Sequence, residues 1–220
     1  MGRISLLISL LFWGSSAFST AITNDKIVDV ITGADMAGMR VYALFDNGAN
    51  DNGRWRPLTR VDLPFLEGEG MSGAAFGGNK PWVLHQQGYT LGNVSEIDGH
   101  LLGAWTLYNN TGVGMSALFI DAIVGDIVFD TVFGDPESAG GVGRPFTPFP
   151  DSPGVNAFYT RPMYDGLYGG LVLRFDESLS GDGGMLKFWA DTDKISSIPE
   201  PSTLLLLGVG LIGMLVRYKV

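Results

Sequence analysis

The sequence predicts an all-β fold for the middle of the chain, an antiparallel β-sandwich of jelly-roll type. Apolar and polar residues alternate there with the period of two that is typical of strands, as in residues 171–175 and 186–190. Glycine contributes 32 of the 220 residues, which suits many turns but weakens helices. Since no long segment keeps a 3.6-residue apolar stripe, short strands with glycine-rich turns are favoured over a parallel α/β fold.

Other strands are predicted where β-branched and aromatic residues cluster between Gly, Asn, Asp or Pro. These segments are residues 27–31, 39–45, 82–86, 101–108, 116–122, 127–133 and 155–160. Residues 171–175 and 186–190 are expected to pair as a closing hairpin, because a glycine-rich segment separates them. Residues 136–153 are rich in proline and are expected to form a long irregular loop. A rigid surface excursion is the favoured interpretation, and a functional loop is the alternative.

The composition limits the class of protein. The net charge is −9 and no Lys/Arg cluster occurs, so the surface repels phosphate backbones and nucleic acid is not expected as a partner. The chain contains no cysteine, which removes disulfides, thiolate nucleophiles and sulfur-ligated metals. We expect one β-sandwich domain over residues 20–195.

The amino terminus has the three parts of a secretory signal peptide. Arg3 supplies a positive start, residues 4–13 are mostly apolar, and Ala17-Phe18-Ser19 is a small-x-small cleavage site. We predict that residues 1–19 are removed by a cut between Ser19 and Thr20. A cut after Ala21 is nearly as well supported.

The carboxyl terminus, residues 196–220, carries a second tripartite signal. Pro199-Glu200-Pro201 is held extended because proline lacks an amide hydrogen and restricts the residue before it. Residues 203–216 form a charge-free run that we interpret as a transmembrane helix, although at about 1.5 Å per residue it is shorter than a bilayer core of about 30 Å. The basic tail 217–220, with Arg217 and Lys219, is expected to stay cytoplasmic. A buried helix of a soluble core is the alternative, but the run has no polar face.

These parts, in this order, resemble the PEP-CTERM sorting signal of Gram-negative bacteria, which is recognised by exosortase, a membrane-embedded cysteine transpeptidase. The resemblance implies export, a transient tether in the inner membrane, cleavage near Pro199-Glu200-Pro201, and delivery to the cell surface or extracellular matrix. The segments 33–39, 128–131 and 188–193 also resemble parts of other PEP-CTERM cargo proteins. Those segments carry no assigned chemistry.

No combination of residues predicts a catalytic site, and no cofactor is expected. Residues 68–73 satisfy G-x-G-x-x-G, but the same pattern recurs at 208–213 in the predicted membrane span, so it is uninformative. Ser72 lacks the glycine two residues later that a nucleophile elbow requires, since Ala74 stands there. His85 and His100 have no carboxylates at the spacing of a zinc site. Glycoside hydrolysis requires a pair of acids, and the sequence does not indicate which two would act together. The candidates are Asp121, Asp126, Asp130, Asp176 and Glu177.

Calcium is the only metal for which the sequence offers candidates. Residues 46–53 concentrate oxygen donors, with Asp46 and Asp51 as the carboxylates, and Asp191 and Asp193 are candidates for further ligands. The spacing is not that of an EF-hand, so a hairpin turn without metal is the commoner explanation.

The leading functional hypothesis is an exported, non-catalytic surface or matrix protein with a structural or adhesive role in an exopolysaccharide-rich layer. The alternative is a carbohydrate-binding module, with or without calcium. Exposed tryptophans would favour that alternative; the four in the domain, more often core residues in a sandwich, are Trp55, Trp82, Trp105 and Trp189.

Overall fold

The structure is a computed structural model that describes residues 27–28, 31–59, 71–90, 103–133, 135, 137–138 and 140–196. The described chain is built from strands and contains no α-helix, and a single 3-10 turn covers Ile123–Gly125. The all-β prediction is therefore confirmed. The strands are β1 Ile27–Val28, β2 Ile31–Thr32, β3 Arg40–Phe45, β4 Asn50–Pro57, β5 Gly73–Phe76, β6 Trp82–Gln86, β7 Tyr89–Thr90, β8 Ala104–Asn109, β9 Met115–Asp121, β10 Ile127–Asp130, β11 Thr147–Pro148, β12 Val155–Pro162, β13 Leu167–Leu179, β14 Gly184–Trp189 and β15 Asp191–Ile195.

Thirteen of these strands form one antiparallel sheet that curls around the core. The hydrogen-bonded order is β1-β15-β10-β13-β9-β3-β4-β5-β6-β8-β14-β11, β12 adds to β13, and β2 and β7 form a separate pair. The predicted β-sandwich would have two separate sheets, whereas here β4 joins two halves into one sheet. Its first part, from Asn50 to Arg54, pairs with β3, and Trp55–Pro57 pairs with β5.

The core lies between the two halves of the curled sheet. Trp105 on β8 is fully buried, and its ring centroid is 5.1 Å from that of Trp55, 6.1 Å from Phe129 on β10 and 5.7 Å from Phe188 on β14. The indole nitrogen of Trp105 donates to the carbonyl oxygen of Ala190 at 3.0 Å. This ring therefore joins the two halves, and its one polar atom is satisfied.

Most predicted strands correspond to observed strands with end shifts of a few residues, and β6 has the predicted bounds 82–86. The closing hairpin is wrong. β13 pairs with β9, β10 and β12, while β14 pairs with β8 and β11. Neighbouring strands in the sequence separate here because the turn after Leu179 leads from one half of the sheet to the other.

The proline-rich segment 136–153 is held against the sheet in its described part. Thr147–Pro148 forms β11 on the edge of β14, and the amide of Arg144 donates to the carbonyl of Asp130 at 3.1 Å. The carbonyl of Arg144 in turn accepts from the amide of Asp191 at 2.9 Å. These contacts support the interpretation as a rigid surface excursion.

Candidate functional site

Five strands present a continuous outer surface, which we call the aromatic face. Their inward residues, such as Val41, Leu118 and Leu171, belong to the core. The outward residues stand in cross-strand register, so that side chains from β12, β13, β9, β3 and β4 form one row. That row is Phe158, Val172, Phe119, Tyr42 and Asn52.

The rings of the central row are accessible. Phe158 is 51% exposed, although it is a large apolar side chain. Tyr42 and Phe119 are half-buried and stack with their centroids 5.8 Å apart and their planes at 17°. Neighbouring strands lie about 4.8 Å apart, so the row extends roughly 19 Å across five strands. An exposed apolar surface rimmed by polar groups is typical of an interaction site.

A glycine makes room for the Phe119 ring. A Cβ atom added at Gly170 would lie 3.0 Å from Cε2 of Phe119 and 2.7 Å from the hydroxyl of Thr160. Any side chain at this position would therefore displace the ring or the hydroxyl. The backbone of β13 thus leaves space in which Phe119 lies across the sheet.

Two flanking rows supply polar groups on either side of the aromatic row. One contains the half-exposed Leu44 between amides and a guanidinium, and the other contains two arginines. The first row is Asn156, Arg174, Ala117, Leu44 and Asn50, and the second is Thr160, Gly170, Asp121, Arg40 and Arg54. Amides and guanidinium groups offer fixed hydrogen-bond donors beside an apolar surface.

The charges of this face are unevenly paired. Arg161 forms an ion pair with Asp121, and its guanidinium carbon lies 5.9 Å from the centroid of Phe119. Arg40, Arg54 and Arg174 form no salt bridge with another described residue. Arg40 and Arg54 are moreover directly opposite each other on β3 and β4. Like charges in a cross-strand pair are destabilising, so this pair costs stability rather than contributing it.

A second unusual region, the aspartate cluster, lies on β10 and β15. Asp130, Asp191 and Asp193 are 0%, 2% and 0% exposed. Asp130 is the cross-strand partner of Asp191, and Asp193 is two residues further along the same strand. Val132 and Thr192 donate backbone amides to the carboxylates of Asp130 and Asp191, at 2.9 and 2.8 Å.

Two glycines of the proline-rich segment lie directly on these carboxylates. A Cβ atom at Gly143 would lie 2.3 Å from Cγ of Asp130, and one at Gly140 would lie 2.0 Å from Oδ2 of Asp193. Both distances are impossible for real atoms, so the close approach requires glycine. The glycines of the segment therefore enclose the carboxylates.

The groups around the cluster have shifted pKa values. Burial raises the pKa of Tyr159 to about 12, with the carboxylates of Asp191 and Asp130 adding to the effect, and the Tyr159 hydroxyl accepts the amide of Phe146 at 2.6 Å. Burial lowers the pKa of Arg144, while the charge of Asp191 opposes this change. Within the described chain, no three His, Asp or Glu side chains have the arrangement of a metal site.

The two calcium candidates, Asp46 and Asp51, have different surroundings and different hydrogen-bond donors. Asp46 lies in the β3–β4 turn and accepts the hydroxyl of Ser178. Asp51 lies within β4, is 3% exposed, and accepts the indole nitrogen of Trp82 at 2.9 Å and the amides of Asn79 and Lys80 at 3.2 and 3.1 Å. Protein donors thus occupy the Asp51 carboxylate, and the first part of the segment forms the alternative hairpin turn, in which Asn47 accepts the amide of Ala49.

The remaining catalytic candidates are the serine, the two histidines and the glycine motif. Ser72 is 3% exposed. His85 lies on β6, stacked on Tyr108 with centroids 6.1 Å apart, and burial, followed by the charge of Lys187, lowers its pKa to about 4. His100 and most of the 68–73 glycine motif lie outside the described residues.

The acids that could pair for glycoside hydrolysis also have different surroundings. Asp121 pairs with Arg161 on the aromatic face, Asp126 follows the 3-10 turn with a φ of 59°, and Asp130 is buried. Asp176 and Glu177 are exposed on β13, where Asp176 accepts the side-chain amide of Asn156.

Three of the four tryptophans are core residues, as the sandwich interpretation expects, and Trp189 is not. Trp55, Trp82 and Trp105 are at most 3% exposed. Trp189 is partly buried, with its ring 3.9 Å from that of Phe149 and 4.8 Å from the guanidinium carbon of Arg144. On the aromatic face the accessible rings are instead Phe158, Tyr42 and Phe119, which no sequence pattern indicated; Tyr108, Phe133 and Tyr164 are exposed elsewhere. The alternation of β12 was visible, but both of its faces carry an aromatic residue, so no local signal selects Phe158.

The predicted terminal signals lie outside the described residues. They include Ser19 and Thr20, the motif Pro199-Glu200-Pro201, the span 203–216, and the tail with Arg217 and Lys219. Among the residues that are described, none belongs to a helix of the length and apolarity needed to cross a bilayer.

Comparison with known proteins yields one match, and it concerns the carboxyl terminus. The family model described as the PEP-CTERM protein-sorting motif matches residues 197–219. No curated protein and no solved structure matches the chain. The motif implies an exported, membrane-associated precursor that is processed by exosortase and sorted to the cell surface. The chain thus carries a PEP-CTERM sorting motif at its carboxyl terminus, as its terminal residues predicted.

Proposed function

We propose that this protein is a non-catalytic component of a polysaccharide-rich surface layer, which it contacts through the aromatic face in a structural or adhesive role. The observation that carries the proposal is the exposed ring of Phe158 in register with Phe119 and Tyr42. The C–H groups of a sugar ring pack on an aromatic ring while its hydroxyls bond to flanking amides. Both kinds of group are present here, in adjacent rows.

The sorting motif supports this proposal because it brings the domain to the place where such polymers occur. In the proposed sequence of events, the signal peptide 1–19 directs export from a Gram-negative cell. The span 203–216 then tethers the precursor in the inner membrane, with Arg217 and Lys219 on the cytoplasmic side. Exosortase cuts near Pro199-Glu200-Pro201, and the domain reaches the surface or the extracellular matrix.

Calcium is not part of the proposal. Asp51, the better placed of the two candidates, already accepts three hydrogen bonds from Trp82, Asn79 and Lys80. We expect chelation to leave polysaccharide contact unchanged.

The sorting part of the proposal is tested by mass spectrometry of the carboxyl terminus, with and without exosortase. We expect the protein of the parent strain to end near residue 199 and that of the exosortase-deficient strain to extend to Val220. Glu200→Ala, compared with the neighbouring Ser202→Ala, should accumulate uncut precursor. Full-length protein in both strains would contradict processing.

The polysaccharide part is tested by co-sedimentation with the extracellular polymer of the same organism. We expect wild-type protein to sediment with the polymer and Phe158→Ala to remain in solution. Phe133→Ala is the matched control, because Phe133 is 65% exposed and lies outside the aromatic face. Equal sedimentation of all three proteins would remove the aromatic face from the proposal.

A further inference from the structure

We infer that the aromatic face selects acidic polysaccharides, with sugar rings on the aromatic row and polymer carboxylates paired with Arg40, Arg54 and Arg174. The inference rests on the proposed function, because it names the class of polysaccharide that the same face takes. It depends on three observations: the sign of the charge on this face, the pairing of its arginines, and the order of its rows.

The charge of the face is opposite to that of the whole protein. The chain has a net charge of −9. The outward positions of the five strands nevertheless carry Arg40, Arg54 and Arg174, all exposed. The carboxylate of Asp121 in the same rows is already paired with Arg161, and that of Asp176, two residues beyond Arg174 on β13, accepts the side-chain amide of Asn156. A positive patch on an acidic protein concentrates anions locally while the rest of the surface repels them.

The arginines also lack salt bridges within the described chain, although Arg40 lies opposite Asp121 on β9, because Asp121 is paired with Arg161. None of the three forms a salt bridge with a described residue. Arg40 and Arg54 face each other across β3 and β4, where two like charges oppose folding. A carboxylate between the two guanidinium groups would accept hydrogen bonds from both, and it would convert a repulsive pair into an attractive site.

The order of the rows fits a linear polymer. The aromatic row lies between the row that contains Arg174 and the row that contains Arg40 and Arg54. Rows of outward residues are two residues apart, or about 7 Å. A chain of sugars along the aromatic row therefore has guanidinium groups within side-chain reach on both sides. Asn52 ends the row and offers a further amide.

Single-stranded nucleic acid would also combine stacking with negative charge. The polysaccharide is favoured because the sorting motif directs the protein out of the cell. Nucleic acid is therefore kept as an outcome of the test.

The test uses the full-length chain in a non-ionic detergent and measures binding by isothermal titration calorimetry. The probes are polygalacturonate and its fully methyl-esterified form, which share the same sugar rings but differ in charge. We expect polygalacturonate to bind about tenfold more tightly than the ester. That preference should shrink when ionic strength rises from about 0.05 M to about 0.5 M.

Three variants assign the effect to residues. Arg54→Gln should weaken polygalacturonate binding severalfold and leave binding of the ester unchanged, and the double variant Arg40→Gln/Arg54→Gln should abolish the preference. Phe158→Ala should weaken binding of both polymers. Lys187→Gln is the matched control for Arg54→Gln, because it removes one positive charge from β14 in the other half of the sheet. We expect it to change neither affinity.

The outcomes separate this inference from the proposed function. Equal binding of both polymers would overturn the selection of acidic chains while leaving contact with polysaccharide intact. Binding of neither polymer, or an equal effect of Lys187→Gln and Arg54→Gln, would overturn the inference. Tighter binding of single-stranded DNA than of polygalacturonate would overturn it in favour of a nucleic-acid ligand. Processing by exosortase is measured independently and is unaffected by any of these results.

Discussion

The aromatic face exposes apolar rings to solvent, whereas the aspartate cluster, on β10 and β15 of the same sheet, holds carboxylates away from it. Phe158 is 51% exposed, and Asp130 and Asp193 are 0% exposed. Both regions reverse the usual distribution of apolar and charged residues. The physical consequences differ, because an exposed ring remains available to a ligand and a buried carboxylate remains available only to its neighbours.

The surroundings of the two regions explain that difference. The carboxylates of the aspartate cluster are covered by backbone that approaches within contact distance at Gly140 and Gly143. The rings of the aromatic face are covered by no described residue to a comparable degree, and the arginines beside them lack salt bridges within the described chain. Changes in the cluster should therefore alter folding, while changes on the face should alter binding.

The largest expected effect on stability is that of Gly143→Ala. The new Cβ would lie 2.3 Å from Cγ of Asp130, so the segment must move away from the cluster. We expect a loss of about 3 kcal/mol in the free energy of unfolding, measured by urea denaturation. Gly183→Ala is the control, because Gly183 has a φ of 80° and no atom near its Cβ position. It should cost about 1 kcal/mol. Equal losses would show that the segment does not close over the cluster.

A second effect concerns His85, a half-buried base that lies in neither region. Burial, and then the charge of Lys187, lowers its pKa to about 4 in the folded protein. The unfolded chain takes up a proton first as the pH falls below about 6.5, so stability is complete above that pH and declines towards pH 4. His85→Gln should reduce this decline by up to about 3 kcal/mol.

The measurement is urea denaturation of both proteins at a series of pH values from 7.5 to 4.5. Identical slopes of stability against pH for wild type and variant would contradict the assignment to His85.

A smaller effect is expected for Asp51, the buried carboxylate with identified donors. Burial alone raises its pKa, but hydrogen bonds from Asn79, Trp82, Asn52 and Lys80 outweigh this, and the pKa lies below 3.8. The ionised Asp51 carboxylate therefore stabilises the folded state above pH 3.8, and this stabilisation is lost as the pH falls through the lower folded-state pKa. Asp51→Asn should cost about 2 kcal/mol at pH 7, because one acceptor oxygen is replaced by a donor.

The same substitution should cost less at a pH below the folded-state pKa, where the wild-type carboxyl is also protonated. Thermal unfolding at the two pH values measures the difference. A cost that is independent of pH would show that the hydrogen bonds do not require the ionised group.

The smallest effect on stability is expected for Phe158→Ala. Half of the side chain is in solvent, so the free energy of unfolding should change by no more than about 0.5 kcal/mol. The same variant should lose polysaccharide binding. A stability loss as large as that of Gly143→Ala would remove the contrast between the two regions and place Phe158 in the core.

Much of the local structure was predictable from the sequence. The β-branched and aromatic residues of 82–86 indicated β6 with its observed bounds, and the proline-rich segment was expected to be a rigid surface excursion. β4 was missed because its first residues, Asn50, Asp51 and Asn52, have the composition of a turn. Its pairing with both β3 and β5 overrides that local preference.

The candidate site was less predictable because it depends on which side of each strand faces inward. In β12, Val155, Ala157 and Tyr159 face the core, and Asn156 and Phe158 face outward. Each set contains one aromatic ring, so the amphipathic pattern favours neither orientation. Trp55, Trp82 and Trp105, the more conspicuous candidates for a sugar site, are core residues. Their partners across the curled sheet are distant in sequence, so no local pattern indicated their burial.

The amino-acid sequence alone was enough to identify the sorting motif and to predict that the domain is made of strands. The sorting motif at 197–219 is contiguous, and strand periodicity is local, so neither requires knowledge of distant contacts. Only the tertiary structure decided that Phe158, Phe119 and Tyr42 share one exposed row, and that Asp130 lies beside Asp191. The register between strands determines both arrangements, and this register results from packing of the whole core rather than from any short segment.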